Sequence, residues 1–322
     1  MTPYRLGTFR RPGAASWAGA EVDGAVVPLG ALTPNTPTVA ALLADWPAAT
    51  AKLDAAVETL RASGGWAAIA RPVDGLDPDV PFAPARIFQS GANYHRHVVE
   101  LVVAGAVERG QDGASARSAA VRLMDERVAH GTPYVFLGLP AAMCGARDDV
   151  VLPPTGDQHD WELELGVVIG NGGYRVPRAD ASQHVAGYVI VNDLTTRDRV
   201  FRPDLAAIGT DWLAAKNAPT FLPTGPWLVP AQFLADPADL RISLRLNGEA
   251  MQDESTADMI FDIPRLIEHV SSICPLRSGD LILTGSPAGN GAHHGRYLRH
   301  GDVMTATITG LGEQRNACVA AS

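Results

Sequence analysis

Glu162 and Glu164 stand two positions apart in D-W-E-L-E-L-G-V-V-I-G, Asp160 to Gly170. Trp161, Leu163 and Leu165 alternate with them. That is the period of a half-buried strand, and it sets both carboxylates on one face about 7 Å apart. Val167, Val168 and Ile169 follow as a wholly apolar run, as if the strand enters a core. An isolated E-x-E pair is more often a solvated sheet face. A third acid shifts the balance: V-A-G-Y-V-I-V-N-D ends on Asp193, where an apolar strand leaves the core. An acid there is either the N-cap of a following helix or a site residue. Two glutamates and an aspartate form an all-oxygen donor set suited to Mg2+, Mn2+ or Ca2+. Without a cation, three clustered carboxylates repel one another strongly unless one takes a proton.

Other residues could share this chemistry. Lys216 lies in D-W-L-A-A-K-N-A-P-T-F-L-P-T-G-P-W, among turn residues, where a snorkelling surface lysine is the commoner outcome. In N-Y-H-R-H-V-V-E, His97 and Glu100 are three apart and share one side of a helical turn. A histidine held by a carboxylate is a general-base arrangement, although a surface ion pair has the same spacing. His293 and His294, in A-H-H-G-R, have no third ligand at a suitable spacing and read as a loop near the pocket mouth. Cys144, Cys274 and Cys318 are far apart with no C-x-x-C, so neither a zinc knuckle nor a disulfide framework is expected. A reducing compartment follows, and Cys144 and Cys274, among apolar neighbours, read as small core residues.

The elements that position these groups divide into two regions. Residues 1–84 read as a small N-terminal α/β domain. Two strand-like runs meet at Asp23-Gly24, a hairpin signal. A helical run interrupted by Pro47 follows and ends at Gly64-Gly65. The loop D-G-L-D-P-D-V-P-F-A-P marks the boundary before Arg86. Residues 85–322 form the larger domain, with a polar, alanine-rich helical segment to about residue 131. Then come many strands and one clear helix, I-P-R-L-I-E-H-V-S-S-I. The fold class is α+β, mainly β, and not doubly wound. No G-x-G-x-x-G follows a strand, which removes the usual dinucleotide reading.

The chain has 322 residues, 46% of them hydrophobic, and a net charge of −9. It lacks a run of five basic residues, so neither nucleic acid nor an anionic membrane is an expected partner. An apolar signal core and a stretch of about eighteen apolar residues are also missing, and the expected location is cytoplasmic.

Seven motifs, in order, resemble the fumarylacetoacetate hydrolase family over most of residues 86–315. They are G-x-N-Y-x-x-H-x-x-E (Gly91 to Glu100), E-L-E-L-G (Glu162 to Gly166), N-D-x-T-x-R-D (Asn192 to Asp198) and A-K before P-T-G-P (Lys216, Pro223 to Pro226). L-N-G-E-x-M-Q (Leu246 to Gln252), S-T-x-D-M-I-F (Ser255 to Phe261) and G-D-L-I-L-T-G-S-P-A-G-N-G (Gly279 to Gly291) complete the set. The resemblance implies a β-roll of mixed sheets, a homodimer, and a divalent cation, typically Mg2+, on Glu162, Glu164 and Asp193. It implies Lys216 beside the metal, Arg197 and Tyr94 on the substrate, and the Thr284-Gly285 turn at the substrate's carboxylate end. His97 and Glu100 would be the dyad that activates water.

The implied activity is catabolic: hydrolysis of a C–C bond in a small 2,4-dioxo acid of the acylpyruvate type through a metal-stabilised enolate. An oxaloacetate-type decarboxylase, or a 2-oxo acid isomerase or tautomerase, would use the same site. A catalytically idle binding protein of this fold is the third alternative. Some features depart from the family pattern. The segment 101–149, with the polar run Glu108 to Gly113, is long and is expected to close over the pocket and set specificity. V-F-L-G-L-P carries Gly138 where many relatives have a lysine, and Arg199 and Arg202 follow Arg197-Asp198 where some have a glutamine. Those two arginines could bind a second carboxylate by bidentate pairing, or line a dimer interface or a surface.

Overall fold

The structure, a computed structural model, describes residues 1–321, apart from the side chain of Glu108. It is α+β, built on mixed sheets with helices set against them.

The N-terminal sheet has five strands, in the order Arg71–Pro72, Ala25–Pro28, Ala14–Val22, Arg5–Arg11, Pro78–Asp79. Its Asp23-Gly24 hairpin has positive φ at both central residues, 51° and 80°. That is the twist-matched turn this dipeptide favours. Pro47 does not interrupt the helix Trp46–Ala62 but sits in its first turn, where the missing N–H costs no hydrogen bond.

The central sheet holds the site. Its main path runs Tyr134–Gly138, Ile87–Gly91, Leu281–Leu283, Leu163–Ile169, Val185–Asn192, Leu222–Thr224, Met143–Gly145. Every residue of the strands Leu163–Ile169 and Val185–Asn192 is buried, which is why both read as nearly unbroken apolar runs. They pair antiparallel with Leu163 opposite Asn192. This register brings the two ends that carry the acids together. A second five-stranded sheet, in the order Glu249–Ser255, Arg241–Leu246, Val303–Ile308, Gly312–Ala320, Val150–Leu152, closes the other side. The helix Ile263–Ile273 is capped by Asp262, whose side chain accepts from Arg265 N–H.

Packing joins the two regions. Leu42, Leu53 and Val57 from the N-terminal region share one apolar cluster with Val168, Val189, Val191, Leu281 and Leu283 of the central sheet. The long segment folds as a helical pair, His95–Glu108 and Gly113–His130, with Asp112 capping the second. Several apolar side chains stay exposed on it, among them Leu101, Val107 and Leu123. Among the described residues, no helix is long and apolar enough to cross a membrane.

Candidate active site

Glu164 belongs to the strand Leu163–Ile169, but Glu162 lies just before it, in the gap after the short strand His159–Asp160. Asn192 Oδ1 accepts from Glu162 N–H at 3.0 Å. Asp193, one residue past its own strand, donates its N–H to Glu162 O at 2.8 Å. One carboxylate oxygen from each of Glu162, Glu164 and Asp193 lies within 4.8 Å of the others. The acids thus converge at the paired ends of the two strands, with Glu162 lying just outside the regular pleat. They are also buried, with Glu164 2% and Asp193 1% exposed. The solvated-face alternative is excluded.

Two cations reach this cluster. Lys216, at the end of the short helix Trp212–Lys216, donates to Glu162 Oε2 at 2.5 Å, Asp193 Oδ2 at 2.6 Å and Asp193 O at 3.0 Å. It is 3% exposed, so it does not snorkel. Arg197 donates from Nε to Asp160 Oδ2 at 2.8 Å and from Nη2 to Glu162 Oε1 at 2.6 Å. Thr195 Oγ1 adds a bond to Glu162 Oε2 at 3.0 Å, and Gly285 N–H one to Glu164 Oε2 at 2.7 Å.

The electrostatics follow from these contacts. Burial pushes Glu162 up, but Arg197 and Lys216 outweigh it and hold the carboxyl well below its ordinary range. Burial raises Glu164 far above the usual glutamate value, and the neighbouring Asp193 adds to that. Asp193 is pushed up to about 6, again chiefly by burial, with Lys216 opposing. Four carboxylates, Asp160, Glu162, Glu164 and Asp193, face only Lys216 and Arg197. With all four ionised, as metal binding requires, two negative charges would be left over, which one hard dication would compensate. Gln89 Nε2 donates to Asp193 Oδ1 at 2.6 Å, while its buried Oε1 has no hydrogen-bond partner. An orphaned oxygen beside surplus carboxylates is a further sign that the set fits a divalent cation.

The acids floor a cavity of about 290 Å³ lined also by Ser90, His97, Leu101, Tyr134, Phe136, Arg197, Phe201, Trp212, Lys216 and Ser286. Burial pushes His97 down to about 4, against the pull of Glu162, so its imidazole is neutral near pH 7. Glu100 is not among the lining residues. Its oxygens lie 3.2 Å from Arg96 Nε and 3.3 Å from His293 Nδ1, and no hydrogen bond joins it to His97 among the described residues. Tyr94 and Thr284 are fully buried, and Thr284 Oγ1 donates to Leu165 O at 3.0 Å. Gly285 is held to glycine twice over, by its φ of +93° and because a Cβ would meet Asn93 Cβ at 2.9 Å. These three residues stand behind Glu164, outside the cavity lining.

Sequence reasoning overlooked several members of the site. Asp160 orients Arg197. Gln89 holds Asp193, and its signal was a lone amide within the apolar strand Ile87–Gly91. Tyr134, Phe136 and Trp212 carried no separate signal, because aromatic residues in strands and helices ordinarily report packing. His293 and His294 lie on a short helix, Gly291–His294, instead of a loop.

Known proteins resemble this chain in sequence and in fold. The chain is 42% identical over 186 residues to a 2,4-didehydro-3-deoxy-L-rhamnonate hydrolase of Sphingomonas sp. (strain SKA58). It is 40% identical over 182 residues to a mitochondrial oxaloacetate tautomerase of Bos taurus. These alignments cover 57% and 56% of this chain, and 64% and 57% of the relatives, less than two-thirds of either. Over nearly full length, 99% of this chain and 100% of the other, the fold matches a maleylpyruvate hydrolase from Sphingobium sp. SYK-6 solved with manganese(II) and pyruvate. The TM-score is 0.74 at 27% identity. Residues 86–319, which hold every acid, cation and aromatic of the cavity, match the fumarylacetoacetate (FAA) hydrolase C-terminal domain, and the chain belongs to that family of enzymes.

Proposed function

We propose that this enzyme hydrolyses a C–C bond in a 2,4-dioxo acid of the acylpyruvate type, with Mg2+ as its metal; Mn2+ or Ca2+ would fit the same oxygen donors. A cation on Glu162, Glu164 and Asp193 would act as a Lewis acid toward the carboxylate and keto oxygens of the substrate. Arg197 stands at the cavity wall to hold the substrate carboxylate, and Lys216 fixes Glu162 and Asp193 in place. His97 takes a proton from water as the hydroxyl joins the acyl carbon. The adjacent C–C bond breaks, its electron pair passes to the pyruvyl carbon, and that carbon regains the proton. The products are a carboxylic acid and pyruvate. Support comes above all from His97, which is neutral, 8% exposed and part of the same cavity wall as the three acids.

A second reading, tautomerisation or decarboxylation of an oxaloacetate-type acid, draws on one observation. Glu100 is engaged by Arg96 and His293, which leaves His97 without the carboxylate that would strengthen it as a base toward water. The bovine relative bears a tautomerase name. We also infer a homodimer, since Ile208 and Leu213 expose 78% and 68% of their surface; sedimentation of a monomer would refute it.

The decisive experiment pairs turnover with binding. His97→Ala should abolish cleavage of acylpyruvates while Mg2+-dependent binding of oxalate, read by calorimetry, persists. Undiminished cleavage would rule out water activation by His97. Lack of metal-dependent oxalate binding by the wild type would favour an idle binding protein.

A further inference from the structure

Building on the dioxo-acid reading of this site, we infer that the substrate carries a single carboxylate and that its far end is an apolar, planar acyl group packed against Leu101, Phe136, Phe201 and Trp212. The cavity is chemically split. The acids, Arg197 and Lys216 supply its charged lining, Leu101, Tyr134, Phe136, Phe201 and Trp212 its apolar lining, and the two meet where Lys216 Nζ lies 5.9 Å from the Phe136 and Trp212 ring centroids. Phe136 and Trp212 stack with centroids 4.6 Å apart and planes at 12°. Trp212 spends its only donor on Tyr134 Oη at 2.7 Å, and that oxygen is also 3.2 Å from Thr210 Oγ1. This wall therefore presents ring faces and alkyl groups to a ligand, a surface that favours offset stacking of another ring.

A second carboxylate would find no cation in the lining. Lys216 is committed to Glu162 and Asp193, and Arg197, already bonded to Asp160 and Glu162, is the cation assigned above to the first carboxylate. His97 is uncharged near pH 7. Arg96, on the helix above, pairs with Glu100 and Glu254. Arg202 pairs with Asp204 and Asp211 outside the cavity, and Arg199 is likewise absent from the lining. A charged end pressed against the aromatic wall would lose its water without a partner, which is costly. The volume of about 290 Å³ is at the low end for ligand pockets and favours a short arm. Leu101, Tyr134 and Phe136 all come from the helical pair and the strand that follows it, the long segment that departs from the family pattern. That segment is thus a specificity element.

Binding separates this inference from the reaction itself. Calorimetry in saturating Mg2+ would compare oxalate, 2-oxoglutarate (a second carboxylate) and 4-phenyl-2-oxobutanoate (an apolar ring). The expected result is at least tenfold tighter binding of the phenyl acid than of 2-oxoglutarate, with the preference erased in Trp212→Ala. Leu101→Arg, at a half-exposed helix position and so compatible with folding, should reverse the order by adding the missing cation. Equal or tighter binding of 2-oxoglutarate by the wild type overturns the inference, as does a preference that Leu101→Arg leaves intact. Oxalate binding without any phenyl preference sinks this inference alone. Failure of oxalate to bind sinks the dioxo-acid reading and this inference with it.

Discussion

Glu164 and Asp193 are carboxylates held in a setting that disfavours their charge, and that has a measurable consequence for metal affinity. Both are raised above their ordinary values by burial, Asp193 to about 6. Each must be ionised to hold a cation, so Mg2+ binding should release protons near pH 6, and affinity should climb as pH rises through that value. Calorimetry in two buffers of different ionisation enthalpy would count those protons; zero release at pH 6 would contradict the arrangement. A raised folded pKa also means that the metal-free fold is strained once these groups ionise. Glu164→Gln keeps the acceptor for Gly285 N–H and removes the charge. It should stabilise the metal-free protein at pH 8 by about 1.4 kcal/mol for each pKa unit relieved, while losing Mg2+ binding. A Tm that falls would refute this. At this scale the sequence was informative for the acids, because carboxylates placed where apolar strands end are conspicuous, whereas Arg197 entered only through the family resemblance. It was silent on Gln89, whose role depends on a neighbour 104 positions away.

Among the elements, the strand Tyr134–Gly138 and the helix His95–Glu108 decide how the cavity is walled. Gly138 lies against Gln89: a Cβ there would stand 2.8 Å from Gln89 Cδ. Gly138→Ala should therefore cost about 1–3 kcal/mol through overpacking and weaken metal binding by displacing the amide that holds Asp193. Urea denaturation and Mg2+ titration of the same variant test both effects. A lysine at this position, which many relatives carry by resemblance, would meet Gln89 in the same way. His293 touches Glu100 from the short helix Gly291–His294. The contact is partly exposed, so His293→Ala should change global stability by less than about 1 kcal/mol. It should nonetheless speed hydrogen exchange across residues 95–108, and unchanged exchange would show that the contact does not restrain the helix. Helical spacing made the segment readable as helix; the pairing of Glu100 away from His97 was not readable, because an i,i+3 relation fixes a shared face and not a partner.

The molecule as a whole behaves as joined regions around a continuous interior. Trp46 of the N-terminal region packs where Gly170 leaves the central strand: a Cβ on Gly170 would meet its ring at 2.7 Å. Trp46→Ala should remove about 3–5 kcal/mol, and both regions should still unfold in one transition because their apolar side chains interleave. Coincident denaturation curves from far-ultraviolet circular dichroism and from Mg2+-dependent oxalate binding would bear this out. Two separated transitions would show that the N-terminal region is energetically independent.

Residue type and period marked Glu162, Glu164 and Asp193 as candidate oxygen donors, the two apolar strands beside them and the Asp23-Gly24 hairpin, and the family motifs implied the metal set. Each of these is local, written within a few consecutive residues. Only the tertiary structure decided that Glu162 leaves the pleat to meet Asp193, that Lys216 and Arg197 are spent on carboxylates, and that an aromatic wall faces them. Those outcomes depend on sheet order, on the register that sets Leu163 opposite Asn192, and on which charges burial forces into contact. A chain segment cannot specify by itself which distant groups will share its loss of water.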